Sequence, residues 1–311
     1  QPNLVDLGPI GDGTARWVAL RVSGDRLITY RVVTEGVIDL VRLDPATGAI
    51  VAQLRVDDFD SMTVTTGSIL INHSDQHVVD VLEPDSLVLR HSIEMPADAK
   101  VSLNIDAPRT EDDLWLGARR YDEDQLAGRY TLMAAIHVDV RTGQALETVE
   151  VPPCGASTVV EAGPDRLVSG IVCAHTIDVI DRRTGSVEST AGFPVAVQQI
   201  GYGGDIWMRW KPFGYIARLR DAASPHPFRR LRTLDLNADG PTLRDVGGFT
   251  VTDDVVWVSS ETIDASFPFV LFAIDPDELV VRARAWVPSP VGIIGSKGYV
   301  IRDGHLLRLD L

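Results

Sequence analysis

Lysine is nearly missing from this chain. Of its 29 basic residues only Lys100, Lys211 and Lys297 are lysines, a bias of coding in a GC-rich genome rather than of chemistry. Positive charge is short overall. Against 44 Asp and Glu, the formal net charge is −15. That excludes phosphate-backbone binding over the whole surface, because nucleic-acid affinity rests on Lys and Arg neutralising phosphates. No apolar run approaches the length that spans a bilayer. Long helical patterns are missing too, which excludes helix bundles and α/β folds. Short runs rich in Val, Ile, Leu and Thr, punctuated by Gly and Pro, point to an all-β protein. No Gly-x-Ser-x-Gly, His-Glu-x-x-His or phosphate-cradling Gly-rich loop is present.

Cysteine is limited to Cys154 and Cys173. Such a pair can be two buried thiols or one disulfide, and their places in the strand pattern below favour the disulfide. A disulfide implies an oxidising compartment. The chain starts at Gln1 rather than Met, as expected of a mature or trimmed form from which a signal or anchor was removed.

What is present is one phrase, repeated: an apolar residue, Asp or Glu, a few spacers, then a tight turn. The copies are Leu43-Asp44-Pro45-Ala46-Thr47-Gly48, Leu82-Glu83-Pro84-Asp85-Ser86, Val138-Asp139-Val140-Arg141-Thr142-Gly143, Ile180-Asp181-Arg182-Arg183-Thr184-Gly185 and Ile274-Asp275-Pro276-Asp277-Glu278. A looser copy runs Leu234-Asp235-Leu236-Asn237-Ala238-Asp239-Gly240, and the sequence stops on Leu309-Asp310-Leu311. The six intervals from Asp44 to Asp310 average about 44 residues, the period of a β-propeller blade. The acidic side chain is suited to bond the backbone two residues on, as an Asx-turn. Gly48, Gly143 and Gly185 supply positive φ. Each phrase therefore reads as a hairpin, and its acidic residue as a turn former rather than a catalyst.

The fold expected is a single seven-bladed β-propeller over residues 1–311, with four-stranded antiparallel blades whose strands A to D run from the channel outwards. Strands are expected at 15–22, 26–33, 37–43 and 49–55 in blade 1, and at 61–66, 68–72, 77–82 and 87–94 in blade 2. Blade 3 takes 101–105, 113–119, 131–139 and 144–150; blade 4 takes 157–161, 166–172, 175–181 and 186–190. Blade 5 takes 196–201, 205–210, 228–235 and 241–246; blade 6 takes 248–252, 254–260, 269–275 and 279–286. Blade 7 has three strands of its own. Residues 3–7 are expected to complete it, closing the ring and removing an exposed sheet edge. By this order, insertions fall on the B–C loops of blades 3 and 6 and, from Lys211 to Pro227, of blade 5. Insertions gathered on one face of a repeat fold mark a binding face.

The hydrophobic-Asp-x-x-Thr-Gly hairpins resemble the repeats of quinoprotein-type (PQQ-like) and YVTN-type β-propellers along the whole chain. The resemblance implies a propeller, often secreted or periplasmic. It does not imply a bound quinone, because Trp17, Trp115, Trp207, Trp210, Trp257 and Trp286 follow no blade-by-blade docking pattern. Neither the Trp-Asp ending of WD40 repeats nor the sialidase Asp-box occurs.

Three places invite a functional reading. His73 and His77 flank one turn and could share a metal with His175, but a polar solvated turn explains them more simply, since spacing fixes no third ligand. Asp235-Leu236-Asn237-Ala238-Asp239-Gly240 opens like a calcium loop, yet its twelfth position is Val246 rather than Glu, so a turn is the simpler account. The fifth-blade stretch interleaves Trp210, Lys211, Phe213, Tyr215, Arg218, Arg220 and His226. It suits an anionic ligand, a sugar or a protein partner; equally, its aromatics could fold back over the blade and its arginines pair with acidic neighbours. The expected binding residues are Arg119, Tyr121, Trp210, Lys211, Tyr215, Arg218 and Glu261. The function expected is non-enzymatic binding of a ligand or partner protein through the B–C face, by an extracytoplasmic monomer without cofactor or metal. The alternative is a lyase- or lactonase-type enzyme with its site at the channel mouth, which rests on fold analogy with virginiamycin B lyase alone.

Overall fold

The computed structural model describes the chain apart from residues 1–3, 14–16, 74–76, 96–99, 103–113, 122–129, 151–155, 162–164, 172–175, 192–196, 203–204, 211–213, 222–226, 239–241 and 264–267. Its strands form seven four-stranded antiparallel sheets, the blades of a propeller. Strand β1 (Leu4–Pro9) precedes blade 1, which holds β2 (Trp17–Ser23), β3 (Arg26–Thr34), β4 (Val37–Leu43) and β5 (Ile50–Val56). Blade 2 holds β6 (Phe59–Val64), β7 (Ile69–His73), β8 (Val78–Leu82) and β9 (Leu89–Glu94). Blade 3 holds β10 (Lys100–Ser102), β11 (Leu114–Tyr121), β12 (Tyr130–Asp139) and β13 (Gln144–Glu150). Blade 4 holds β14 (Ala156–Glu161), β15 (Arg166–Ile171), β16 (Thr176–Asp181) and β17 (Val187–Ala191). Blade 5 holds β18 (Val197–Tyr202), β19 (Asp205–Trp210), β20 (Tyr215–Leu219) and β21 (Leu231–Asp235). Blade 6 holds β22 (Leu243–Val251), β23 (Val256–Thr262), β24 (Phe269–Ile274) and β25 (Val281–Val287). Blade 7 holds β26 (Gly292–Ile294), β27 (Lys297–Arg302) and β28 (His305–Asp310).

The core lies between blades, so a middle strand must be apolar on both sides. In β4, Ile38 and Leu40 pack toward blade 2 with Ile69, Ile71 and Leu82. Val41 and Leu43 pack the other way, with Tyr299 and Leu306 of blade 7. Each such side chain contributes about 1.5–3 kcal/mol of burial. Near-continuous apolar runs with one embedded polar residue are the result.

Blade 7 is completed as the sequence predicts. β1 pairs antiparallel with β28, from Leu4 opposite Leu309 to Pro9 opposite His305. Leu4 joins the core between blades 6 and 7, and Leu7 the core between blades 7 and 1. Ile10 is fully buried, and its N–H donates to the Gly304 carbonyl at 2.8 Å. Gly304 has φ +78°, and a Cβ there would sit 2.5 Å from the Gly13 oxygen. Only glycine permits that approach. His305 Nδ1 lies 3.1 Å from the Asp6 carboxylate across the seam.

The turn chemistry also follows expectation. The Asp44 carboxylate accepts from the Ala46 N–H at 2.7 Å, that of Asp139 from Arg141 at 2.9 Å, and that of Asp181 from Thr184 at 2.8 Å. Gly48, Gly143 and Gly185 have φ of +72°, +73° and +69°. Blades 2 and 6 depart from the pattern, since Leu87 (φ 58°) and Leu279 (φ 54°) hold the left-handed position. They are 1% and 5% exposed. Burial of a leucine in the inter-blade core outweighs roughly 1–2 kcal/mol of left-handed strain.

Blade 5 corrects the expected strand order. Its third strand is β20, not 228–235, and its fourth is β21, not 241–246. The segment from Lys211 therefore splits: a short B–C connection at 211–214, then a strand, then a C–D excursion that includes a 3-10 turn at Pro227–Arg230. Sequence reasoning missed β20 because the acidic turn residue is replaced by Arg220. Here Asp221 takes the left-handed conformation (φ 48°), and its N–H is held by the Asp205 carboxylate at 2.9 Å. The phrase at Leu234–Gly240 belongs to the D–A connection, and β22 begins at Leu243, five residues before the expected start.

Candidate partner-binding face

Antiparallel order puts every B–C and D–A connection at one rim of the ring and every A–B and C–D connection at the other. The expected binding residues divide between them. Arg119 and Tyr121 lie in the last turns of register of β11, with Tyr121 opposite Tyr130. Trp210 ends β19 opposite Tyr215, and Glu261 sits near the end of β23 opposite Phe269. These five belong to the B–C rim by backbone position. The side chains of Arg119, Tyr121 and Trp210, and all of Lys211, lie outside the described residues. Tyr215 is already engaged: charge repulsion from the Asp235 carboxylate and a hydrogen bond to it push the phenol pKa up. The Gly214 turn beside it is tucked under the D–A connection, its carbonyl accepting from Leu236 at 2.9 Å. Glu261 is partly exposed, 3.3 Å from Arg244.

Arg218 lies at the opposite rim, which corrects its expected place beside Trp210. Opposite Trp207 in register, it stacks 5.1 Å from that ring. It ion-pairs with Asp205 at 2.5 Å and donates to the carbonyl of Pro276 in the next blade. Its role is to join blades.

That role generalises along the C–D rim. Arg26 forks onto the Asp85 carboxylate at 2.7 and 2.8 Å, and Arg42 donates to the Asp85 carbonyl at 2.9 Å. The hydrogen bond from Arg26 holds the Asp85 carboxyl below its usual range. Arg220 reaches Asp277 at 2.7 Å, while Arg232 donates to the Asp277 and Glu278 carbonyls at 3.1 and 3.0 Å. Between blades 3 and 4 the direction reverses. Arg182, in the blade 4 turn, pairs with Glu147 and lies 4.8 Å over the Trp115 ring of blade 3. Bidentate and stacked guanidinium contacts of this kind exploit what lysine lacks.

The B–C rim of blades 1 and 2 carries two arrangements that sequence reasoning missed. Trp17, Arg31, Asp39 and Arg55 stand opposite one another across all four strands of blade 1. Asp39 is 3% exposed, with Arg31 at 2.9 Å and Arg55 at 3.0 Å. Burial pushes its pKa up, but the two guanidinium hydrogen bonds outweigh that and hold it below the usual range. In blade 2, a polar chain runs from Ser92 through Asp80 and His73 to the Asp57 carbonyl. The signal for both was a lone Asp in an otherwise apolar run, Asp39 and Asp80. Beside them the hairpin tip of blade 1 exposes Val32 (58%) and Val33 (41%).

Among the described residues, no group of three His, Cys, Asp or Glu side chains is placed to hold a metal ion. His73 is turned into the blade and His77 outwards, so the two do not converge. Asp235 and Asn237 are spent on the turn. The Asp235 carboxylate accepts from the Asn237 N–H at 2.8 Å, and the Asn237 side chain accepts from the Leu243 N–H at 3.0 Å. Cys154, Cys173 and His175 lie outside the described residues. No helix of the described residues is long and apolar enough to cross a membrane.

No protein-family model matches the chain, and no curated protein sequence matches it. Solved structures do match. The computationally designed protein Ika8 is similar with a TM-score of 0.60 at 13% identity, over 98% of this chain and 99% of that one. The β-propeller domain of Myceliophteria thermophila Cps50 (Swd1) gives 0.63 at 13% identity, each chain covered in full. A chain of the mitotic checkpoint complex gives 0.65 at 12% identity, over 100% of this chain and 94% of that one. Identities this low show the propeller fold alone. They carry no support for the quinoprotein-type or YVTN-type assignment.

Proposed function

We propose that this propeller is a non-enzymatic binding protein whose partner, another protein, docks on the B–C rim. One observation carries the reading: the two rims are unequally committed. The C–D turns of blades 2, 4 and 6 are tied to the preceding blade by arginine contacts. The B–C rim carries the lengthened connections of blades 3 and 6, between Tyr121 and Tyr130 and between Thr262 and Phe269, whereas the long C–D excursion of blade 5 leaves from Arg218 and Arg220, which are tied to blade 6. Lengthened loops of a rigid scaffold that are not spent on joining its parts are where recognition is concentrated. A chain of the mitotic checkpoint complex shares this fold, which is consistent with this but says nothing of the partner here.

The test is to capture interacting proteins on the immobilised chain and compare rims. Combined replacement of Trp210, Lys211 and Glu261 by alanine should abolish capture of a partner that wild type retains. Arg229→Ala, on the C–D side, should leave capture intact. Loss with the second variant and not the first would place the interface on the wrong rim.

The extracytoplasmic setting belongs to the same proposal. Ala156 and Ile171 are the last paired residues of β14 and β15 at this rim, and Cys154 and Cys173 each lie two residues beyond them in sequence. A bond between them would close a short loop and contribute about 3 kcal/mol. Intact mass with and without reductant decides it, and two free thiols in the unreduced protein would remove this support.

A further inference from the structure

We propose that His73 is a proton-dependent latch on the connection between blades 1 and 2, making the B–C rim tighter in acid than in base. His73 ends β7 and is 9% exposed. Its Nδ1 lies 3.1 Å from the Asp57 carbonyl oxygen, and its Nε2 lies 3.0 Å from the Asp80 carboxylate. A carbonyl can only accept a hydrogen bond, and so can an ionised carboxylate. A neutral imidazole has one N–H and can satisfy one of them. The imidazolium has two and satisfies both. Losing the second proton turns a ring lone pair against an oxygen and releases one end of the bridge.

Acidic groups stand around the ring. The other Asp80 oxygen accepts from the Ser92 hydroxyl at 2.5 Å, which fixes the carboxylate. Asp57 and Asp58 form the connection that the ring bonds, Asp60 lies on β6 and accepts from Asn72 at 2.9 Å, and Glu94 stands on β9. Glu35 sits on the adjoining hairpin of blade 1, where the Tyr30 phenol ring packs 5.1 Å from Phe59. His77 lies across the β7–β8 turn. Arg31 and Arg55 turn to the other face of blade 1, onto Asp39, while Arg90 of β9 reaches Glu83 at the far rim.

What the latch holds is a short, strained segment. Only residues 57 and 58 join β5 to β6, and Asp58 has φ 54°. The connection is pinned at Phe59, whose N–H donates to Gly36 at 2.8 Å, and at Asp57 through His73. Releasing His73 removes the pin at Asp57.

The link to partner binding rests on the reading of this rim given above; the latch itself does not. The test is amide hydrogen exchange at Asp57, Asp58 and Phe59, with imidazole ¹⁵N spectra, at about pH 5 and about pH 8.5, either side of ordinary histidine titration. After correction for intrinsic exchange, protection of these amides should fall about tenfold in base in the wild type. In His73→Gln, which has no proton to lose, and in Asp80→Asn it should change little between the two conditions. A singly protonated ring at the acidic condition, or equal protection at both, overturns the latch whatever the rim binds. A pH-dependent latch in a protein whose capture of partners ignores the B–C replacements would overturn the rim reading and leave the latch standing.

Discussion

The two rims of this ring are made of the same strands and solve opposite problems. At the C–D rim the acidic side chains of blades 1, 3, 4 and 6 are spent on backbone N–H groups, and arginines stitch the turns of blades 2, 4 and 6 to the preceding blade. At the B–C rim the charges are embedded within single blades, as in the Trp17–Arg31–Asp39–Arg55 row, and the connections of blades 3 and 6 are lengthened. One rim holds blades together, and the other is left to vary. Replacements at the first should therefore cost stability, and replacements at the second should cost binding.

The largest effect expected comes from neither rim but from the seam. Deleting residues 1–9 removes β1, exposes the β28 edge and forfeits the burial of Leu4 and Leu7. The loss should be on the order of 4–5 kcal/mol, enough to abolish a cooperative melt. A truncated chain that melts like the full one would show that closure is dispensable. Next, Arg218→Ala should cost about 2–3 kcal/mol, because it strands the Asp205 carboxylate in a part-buried site. Chemical denaturation measures it, and a cost below about 0.5 kcal/mol would put Arg218 with ordinary surface ion pairs. Leu279→Gly should cost about 1–2 kcal/mol net, since lost burial exceeds relieved left-handed strain.

Acid should then weaken the C–D rim. Backbone N–H bonds, with help from Arg282, hold Asp275 below its usual pKa, and the Thr184 N–H does the same for Asp181. A carboxylate with a depressed folded pKa contributes stability above its unfolded value of about 3.9, and this is lost as pH falls through the folded value. The melting temperature should accordingly drop between neutral pH and pH 3, and less steeply in Asp275→Asn. The smallest effect is expected from Lys211→Ala and Glu261→Ala at the other rim, within about 0.5 kcal/mol of wild type. A large destabilisation there would dissolve the contrast between the rims.

Much of this architecture was legible because turn chemistry is local. Asp44, Asp139 and Asp181 act on backbone N–H groups two or three residues on, so sequence alone locates them. Leu87 and Leu279 were not legible as left-handed residues, because their compensation lies in a neighbouring blade. Blade 5 failed for a related reason. Arg220 stands where the acidic residue should be, and the turn is held by Asp205, which precedes it by fifteen positions. The candidate site suffered in turn. Arg218 was grouped with Trp210 by proximity in sequence, whereas a strand of five residues carries it to the far rim. His73 was noticed for its spacing from His77, yet its partners, Asp57 and Asp80, are chosen by the register of three strands.

The pairing of β1 with β28 has a kinetic consequence. Most strand pairs here close loops of a few residues, but this one closes a loop of about 300. By loop entropy alone that costs ~3 kcal/mol more than a ten-residue hairpin. Nothing repays it until blades 1 and 7 are both in place to receive Leu4, Leu7 and Ile10. The seam is thus the last contact that folding rewards and the first that unfolding gives back, so the ring should open as a zip does, from the one place where its two ends were joined.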